Sequence, residues 1–358
     1  MYFSHKQLNK FTLKPFFGKI NKKEVLNKLE RYFPNRSIVF TDSGRSAFKV
    51  GLRSLGLENS EILLPAYICN VLSPVLKKYG IKVKYMDADM KSFNMDIEEI
   101  EKNITPETKA IVVSHNYGLP GNLKEIKDIG KRYSLKIIED CAHIFPLFSD
   151  AGKIGDCSFF SFSKICPIWN GGMLVSKKEV DIDLKKYSFD GWNIVKFFRL
   201  FPSIASFSEM FRSRKKELPF PSYSIPRDIS KTSLRVFNSC LDGFRERYER
   251  RILLAGVFQK KLKELGFSVQ EGKDNMFTFL SALVPDRIDR DILFDNLRKE
   301  GICCFRMWHR PIIVDEDEYP ISFYLSKNIL NFPLQDWYKE SDIDDMVKKI
   351  DSALKGMR

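Results

Sequence analysis

From about residue 36 to residue 180, short apolar runs alternate with amphipathic stretches. SIVFT (37–41), EILLP (61–65), KVKYMDA (82–88), KAIVVSH (109–115) and KIIEDC (136–141) have the length and composition of strands. Between them, Arg45–Leu55, Asn70–Tyr79, Asp96–Asn103 and Leu123–Tyr133 carry helical spacing. Strand-helix alternation at this interval requires crossover connections, hence a mostly parallel sheet covered on both faces. SFFSFS (158–163) and GMLVS (172–176) follow closely on each other, which predicts that part of the sheet is antiparallel. Residues 185–232 break the pattern, mixing aromatic, proline and basic positions, and read as an irregular, partly helical connector. From Ser233 one long helical pattern runs through VFNSCLDGFRERYERRILLAGVFQKKLKEL. A second alternating module follows, with strands expected near 276–283 and 302–306 and a closing amphipathic helix capped by Ser341. The expected architecture is α/β: a large domain over residues 1–232, then a linking helix and a small C-terminal α/β domain over 233–358.

Composition narrows this picture. The chain has 358 residues, 44% of them hydrophobic, enough for a sizeable core. Its formal net charge of +13 favours anionic partners such as a nucleotide-linked substrate. Seven cysteines without paired spacing argue for a reducing compartment, and with four histidines they show no metal-binding spacing. No apolar stretch has signal-peptide or membrane-spanning length, so the expected location is cytoplasmic. No nucleic-acid-binding motif is present. Within 192–216 aromatic and basic residues are interleaved; packing in a dimer or over the site is the favoured reading, contact with an anionic membrane surface the other.

Ligands of open α/β sheets sit beyond the carboxyl ends of the strands, so the chemistry is sought there. SIVFT ends in Asp42-Ser43-Gly44-Arg45 and then a helix, a turn whose free N–H groups and dipole suit a phosphate. KIIEDC ends in Glu139-Asp140, followed by Cys141-Ala142-His143. A buried acid needs a cation, and a protonated pyridine nitrogen is one. SFFSFS ends in Lys164, set among Phe159, Phe160, Phe162 and Trp169 and followed by Asn170-Gly171-Gly172. Desolvation there would lower the amine pKa and free it to form a Schiff base with an aldehyde. Taken singly, these are also what a helix cap, a loop acid and a surface lysine look like; their order along the chain is what carries weight.

That ordered set, SGRSAF…LPAYIC…MDAD…SHNYGLPGNLKEIKDIGKRYSLKIIEDCAH…GKIGDCSFFSFSK…NGGMLVS, resembles the DegT/StrS type of sugar aminotransferase, within the fold-type I (aspartate-aminotransferase-like) pyridoxal 5'-phosphate enzymes. The likeness is close over 36–180 and looser beyond, where ILNFPLQDWYKESDIDDMVKKI resembles the family's closing strand and helix. It implies transfer of an amino group, from glutamate, to a nucleotide-linked keto sugar in surface polysaccharide or glycoconjugate biosynthesis, by a homodimer. By position, it implies that Lys164 carries the cofactor, Asp140 faces its pyridine nitrogen and His143 lies beside its ring hydroxyl. The turn Ser43, Gly44 and Arg45 would bind its phosphate. Tyr67 would cover its ring, with Cys69 as the alternative register. Many members place a serine five residues before the lysine; position 159 here is Phe, so Ser161, or else Ser158, takes that part. SYSIPRD (222–228) stands where many members reach the partner's phosphate. His115, Asn170, Arg306, Trp308, His309 and Arg310 are the candidates for substrate contact. A dehydration on the same cofactor and a catalytically silent binding homologue are the alternative functions; the intact lysine, aspartate and histidine speak against both.

Overall fold

The computed structural model describes residues 18–188 and 225–357; the basic aromatic segment 192–216 lies outside the described residues. Seven strands build the main sheet: β1 (Ser37–Thr41), β2 (Glu61–Pro65), β3 (Lys82–Met86), β4 (Thr108–Ser114), β5 (Lys136–Cys141), β6 (Cys157–Ser161) and β7 (Gly172–Ser176). Their order is β1-β7-β6-β5-β4-β2-β3. β7 runs antiparallel to both neighbours, and every other pairing is parallel. The apolar runs form central strands because both faces are covered. Ile62 and Leu64 of β2 pack on one side with Phe48, Leu72 and Leu76, whereas Leu63 packs on the other with Ile100, Ile126 and Ile129. That alternation is the two-residue period of a strand buried twice.

A three-stranded antiparallel sheet, β10-β9-β8, forms the small module from β8 (Ser268–Val269), β9 (Leu280–Leu283) and β10 (Ile329–Phe332). The helices Arg290–Lys299 and Glu340–Lys355 pack in its core.

Four local expectations are corrected. SFFSFS is not strand to its end: β6 stops at Ser161, and Phe162–Ile165 is a short helical turn, α6, that carries Lys164. The single helix expected from Ser233 is two, Lys231–Leu241 and Phe244–Glu264, broken at Gly243, which sits at φ 66°. Leu241 and Phe244 pack with Phe145 of the large core, whereas Leu254, Phe258 and Leu262 pack with the small sheet. No strand forms at 302–306; Phe305 only bridges Asn331 of β10. Ser341 lies inside its helix, which is capped instead by Lys339 with Asp342 accepting its backbone N–H at 2.8 Å. Among the described residues no helix is long and apolar enough to cross a membrane.

Candidate active site

β1, β2, β4, β5 and β6 deliver their carboxyl ends to one region. The turn after β1 is narrow. Ser43 caps α2 (Gly44–Ser54), its hydroxyl accepting the Ser46 N–H at 3.3 Å. A Cβ on Gly44 would stand 3.0 Å from the Ser161 Cβ, and one on Gly172 would stand 2.6 Å from the Gly44 nitrogen and the Phe160 carbonyl oxygen. Glycine is required at position 172, where β6, β7 and the turn approach to backbone contact, and position 44 is tight. Asp42 adds a bond from its N–H to the Arg227 carbonyl at 2.9 Å, so the end of SYSIPRD lies against this turn in the same chain. Of the two serines open to the phosphate role, Ser158 donates to Glu139 at 3.1 Å, while Ser161 stands against Gly44.

Glu139 and Asp140, adjacent on β5, have opposite environments. Glu139 accepts from the backbone N–H groups of Gly152 (2.7 Å) and Gly155 (2.6 Å), from Ser158 and from His115 Nε2 (3.1 Å). Burial pushes its pKa up, but the His115 hydrogen bond and the two amides more than offset this and hold it below the ordinary value. His115 Nδ1 accepts the Gly121 N–H at 2.9 Å, which puts its proton on Nε2 toward Glu139. His115, Glu139 and Cys141 lie close enough to suggest a metal site, yet these bonds already occupy the histidine and the carboxylate. His115 thereby ties the end of β4 to Glu139 of β5 and to Gly121.

The Asp140 carboxylate accepts the Ala142 N–H at 2.9 Å. Burial raises its pKa to about 6, opposed by that bond and by the neighbouring His115 and Lys164. Lys164 is half-buried on α6. Desolvation lowers its amine, opposed by the Cys69 and Asp140 charges. An acid short of cations thus faces an amine short of water.

His143 is held neutral, well below its usual range, by burial and by the Lys164 charge. Its Nδ1 accepts the Tyr117 N–H at 3.3 Å, so the ring proton is on Nε2 and available as a donor. Trp308 lies over His143 with centroids 5.3 Å apart and planes at 17°, and Tyr117 stacks on the same indole at 5.2 Å. The indole reaches this place on a tight turn, with Trp308 itself at φ 55°.

Tyr67 is fully buried, its hydroxyl 2.6 Å from that of Tyr117 and its ring edge-on to Trp308. Cys69 is the residue of that loop coupled electrically to Lys164, Asp140 and Arg45, and burial raises its thiol pKa. Asn170 is held by Tyr187 at 2.7 Å and by the Ser233 hydroxyl, which makes it a brace for the lysine turn. Arg306 pairs with Asp291 at 2.8 Å, His309 contacts the Arg306 carbonyl at 3.0 Å, and Arg310 is exposed; these three line a separate cavity. Tyr117 is the site residue the sequence reading missed. Its signal is the SHNYG turn at the end of β4, which places it at φ 63°.

A phosphate-sized turn, a buried acid, a desolvated amine and a neutral histidine donor form the donor set that pyridoxal phosphate requires, and the fit is good. The aminotransferase TlmJ from Streptoalloteichus hindustanus has the same fold, with a TM-score of 0.75 at 18% identity over 99% of both chains. The fold is therefore that of fold type I, the aspartate-aminotransferase-like architecture. Residues 21–351 match the model of the DegT/DnrJ/EryC1/StrS aminotransferase family, and the chain belongs to that family. Its relatives include the 3-oxo-glucose-6-phosphate:glutamate aminotransferase of Bacillus subtilis, 35% identical over 43% of this chain and 34% of that protein's length. The dTDP-4-amino-4,6-dideoxy-D-glucose transaminase of Shigella dysenteriae is 27% identical over 82% of this chain and 76% of its own.

Proposed function

We propose that this protein is a cytoplasmic aminotransferase that moves an amino group from glutamate to a phosphorylated or nucleotide-linked keto sugar. The placement of Lys164 just beyond β6 and of Asp140 at the end of the neighbouring β5 supports this reading most directly. Pyridoxal phosphate, when bound, supplies the electron sink that lets an amino acid lose its α-proton. Ser43, Gly44, Arg45 and Ser161 would hold its phosphate. Asp140 would keep a proton on the ring nitrogen, since its buried carboxylate is stabilised by a cation in contact. His143 would donate from Nε2 to the ring hydroxyl. Lys164 Nζ, its basicity lowered by burial, would accept the α-proton of the donor and return it at the sugar carbon.

The test is a half-reaction. Protein loaded with pyridoxal phosphate should convert one equivalent of glutamate to 2-oxoglutarate per site, with loss of the violet absorbance band. Absence of any oxo acid with every common amino acid would dispose of the proposal. We also read the assembly as a homodimer, because the family resemblance has the neighbouring chain complete the phosphate pocket. A monomer in sedimentation at low concentration, with full cofactor content, would contradict that.

A further inference from the structure

We propose that the cavity between Arg290, Arg306, Arg310 and Lys327 is a phosphoryl-binding subsite for the substrate. The cavity has a volume of about 460 Å³ and is completed by Asp291, His309 and Val314. That lies within the range of about 300–1,000 Å³ typical of small-ligand sites. Its wall carries four permanent cations and one carboxylate, a surplus of three positive charges.

Ion pairing explains only half of the set. Asp291 Oδ1 receives both Arg290 Nε at 2.5 Å and Arg306 at 2.8 Å. Arg290 is 5% exposed and also donates to the Ile329 carbonyl at 3.0 Å. Two guanidinium groups on one carboxylate oxygen leave net charge in a partly desolvated place. Arg310 and Lys327 make no ion pair among the described residues. The acidic run Asp315–Glu318 does not neutralise them from within the cavity. Asp315 accepts the N–H groups of Asp317 and Glu318, and Glu318 accepts the Tyr319 hydroxyl. Arg290 and Asp291 also open the helix Arg290–Lys299, whose N-terminal dipole adds to the positive potential. Three arginines favour oxygen anions that accept paired N–H groups, which are phosphates before carboxylates at this charge.

The cavity is joined to the site by the chain itself. Arg306, His309 and Arg310 flank the turn that lays Trp308 over His143. The next residues are pinned to the large domain, with Pro311 bridging Cys69 and the Ile312 N–H donating to the Ile68 carbonyl at 2.9 Å. One turn therefore carries an aromatic platform at the site and cations at the cavity. A keto sugar with an anionic handle matches that division.

The identity of the ligand as a sugar substrate rests on the aminotransferase reading; anion binding does not. Cofactor-loaded protein, whose own phosphate turn is filled, is titrated calorimetrically with pyrophosphate and with glucose 6-phosphate in phosphate-free buffer. Lys327→Met and Arg310→Ala should each weaken the tighter ligand about tenfold, while borohydride-fixable cofactor stays constant. Preference for pyrophosphate indicates a nucleotide diphosphate sugar, and preference for glucose 6-phosphate a sugar monophosphate. Equal affinity in both variants, or binding of neither ligand by the unaltered protein, overturns the subsite. If the anions bind as expected but glutamate is not converted, the aminotransferase reading fails and the subsite stands.

Discussion

Trp308 lies parallel over His143, 5.3 Å between ring centroids, although the two residues belong to different modules of the chain. Stacking of this kind contributes about 0.5–1.5 kcal/mol beyond area burial, enough to hold the turn in place but not to prevent its movement. Trp308→Ala should therefore retain cofactor while raising KM for the keto sugar about tenfold or more. Steady-state kinetics beside cofactor absorbance decide this. Loss of cofactor with an unchanged KM would mean that the indole serves the cofactor instead.

Asp140 carries an electrostatic cost that the cofactor relieves. Its pKa is raised to about 6 in the folded protein from 3.8. A carboxyl raised in this way costs nothing below about pH 4; the cost builds up between about pH 4 and about pH 6 and is complete above that. Cofactor-free Asp140→Asn should therefore be more stable than the unaltered protein at pH 8, by up to roughly 3 kcal/mol, with the difference vanishing near pH 4. The same variant should slow the glutamate half-reaction by roughly 10²–10⁴-fold, because an amide does not hold the ring proton. Denaturation at several pH values checks the first part. A pH-independent difference, or turnover at the normal rate, would refute the role given to Asp140.

Glu139 is predicted to be structural despite its neighbour. Glu139→Ala strands four buried donors, from His115, Gly152, Gly155 and Ser158, and should cost roughly 3–5 kcal/mol. Urea unfolding measures it. A Glu139→Ala protein of normal stability that has lost only kcat would show that the carboxylate takes part in the chemistry.

The strands of the main sheet were legible because each is a short apolar run buried on both faces, and β1, β2, β5 and β7 match their expected bounds. The placement of Asp140 at the end of β5, of His143 just after it and of Lys164 just beyond β6 was legible from their order along the chain. What escaped depends on tertiary contacts. The turn from β6 into α6 is set by the Phe162 N–H reaching the Gly171 carbonyl at 3.0 Å, and nothing in SFFSFS announces it. Tyr67 and Cys69 alternate along one loop, and the packing of Tyr67 against Tyr117 and Trp308 is not readable from that alternation. Arg290 and Lys327 join Arg306 from two different helices, a convergence that spacing alone cannot reveal.

The central claim is that Lys164, and no other lysine, carries the cofactor. Its amine is lowered by burial beside Asp140 and Cys69, at the end of the strand that faces the Gly44 turn. Protein incubated with pyridoxal phosphate, reduced with borohydride and digested should yield one labelled peptide, with the pyridoxyl group on Lys164. Lys164→Ala should yield none while keeping its fold. A label on any other lysine, or an unlabelled wild-type protein that still transaminates, would contradict the account.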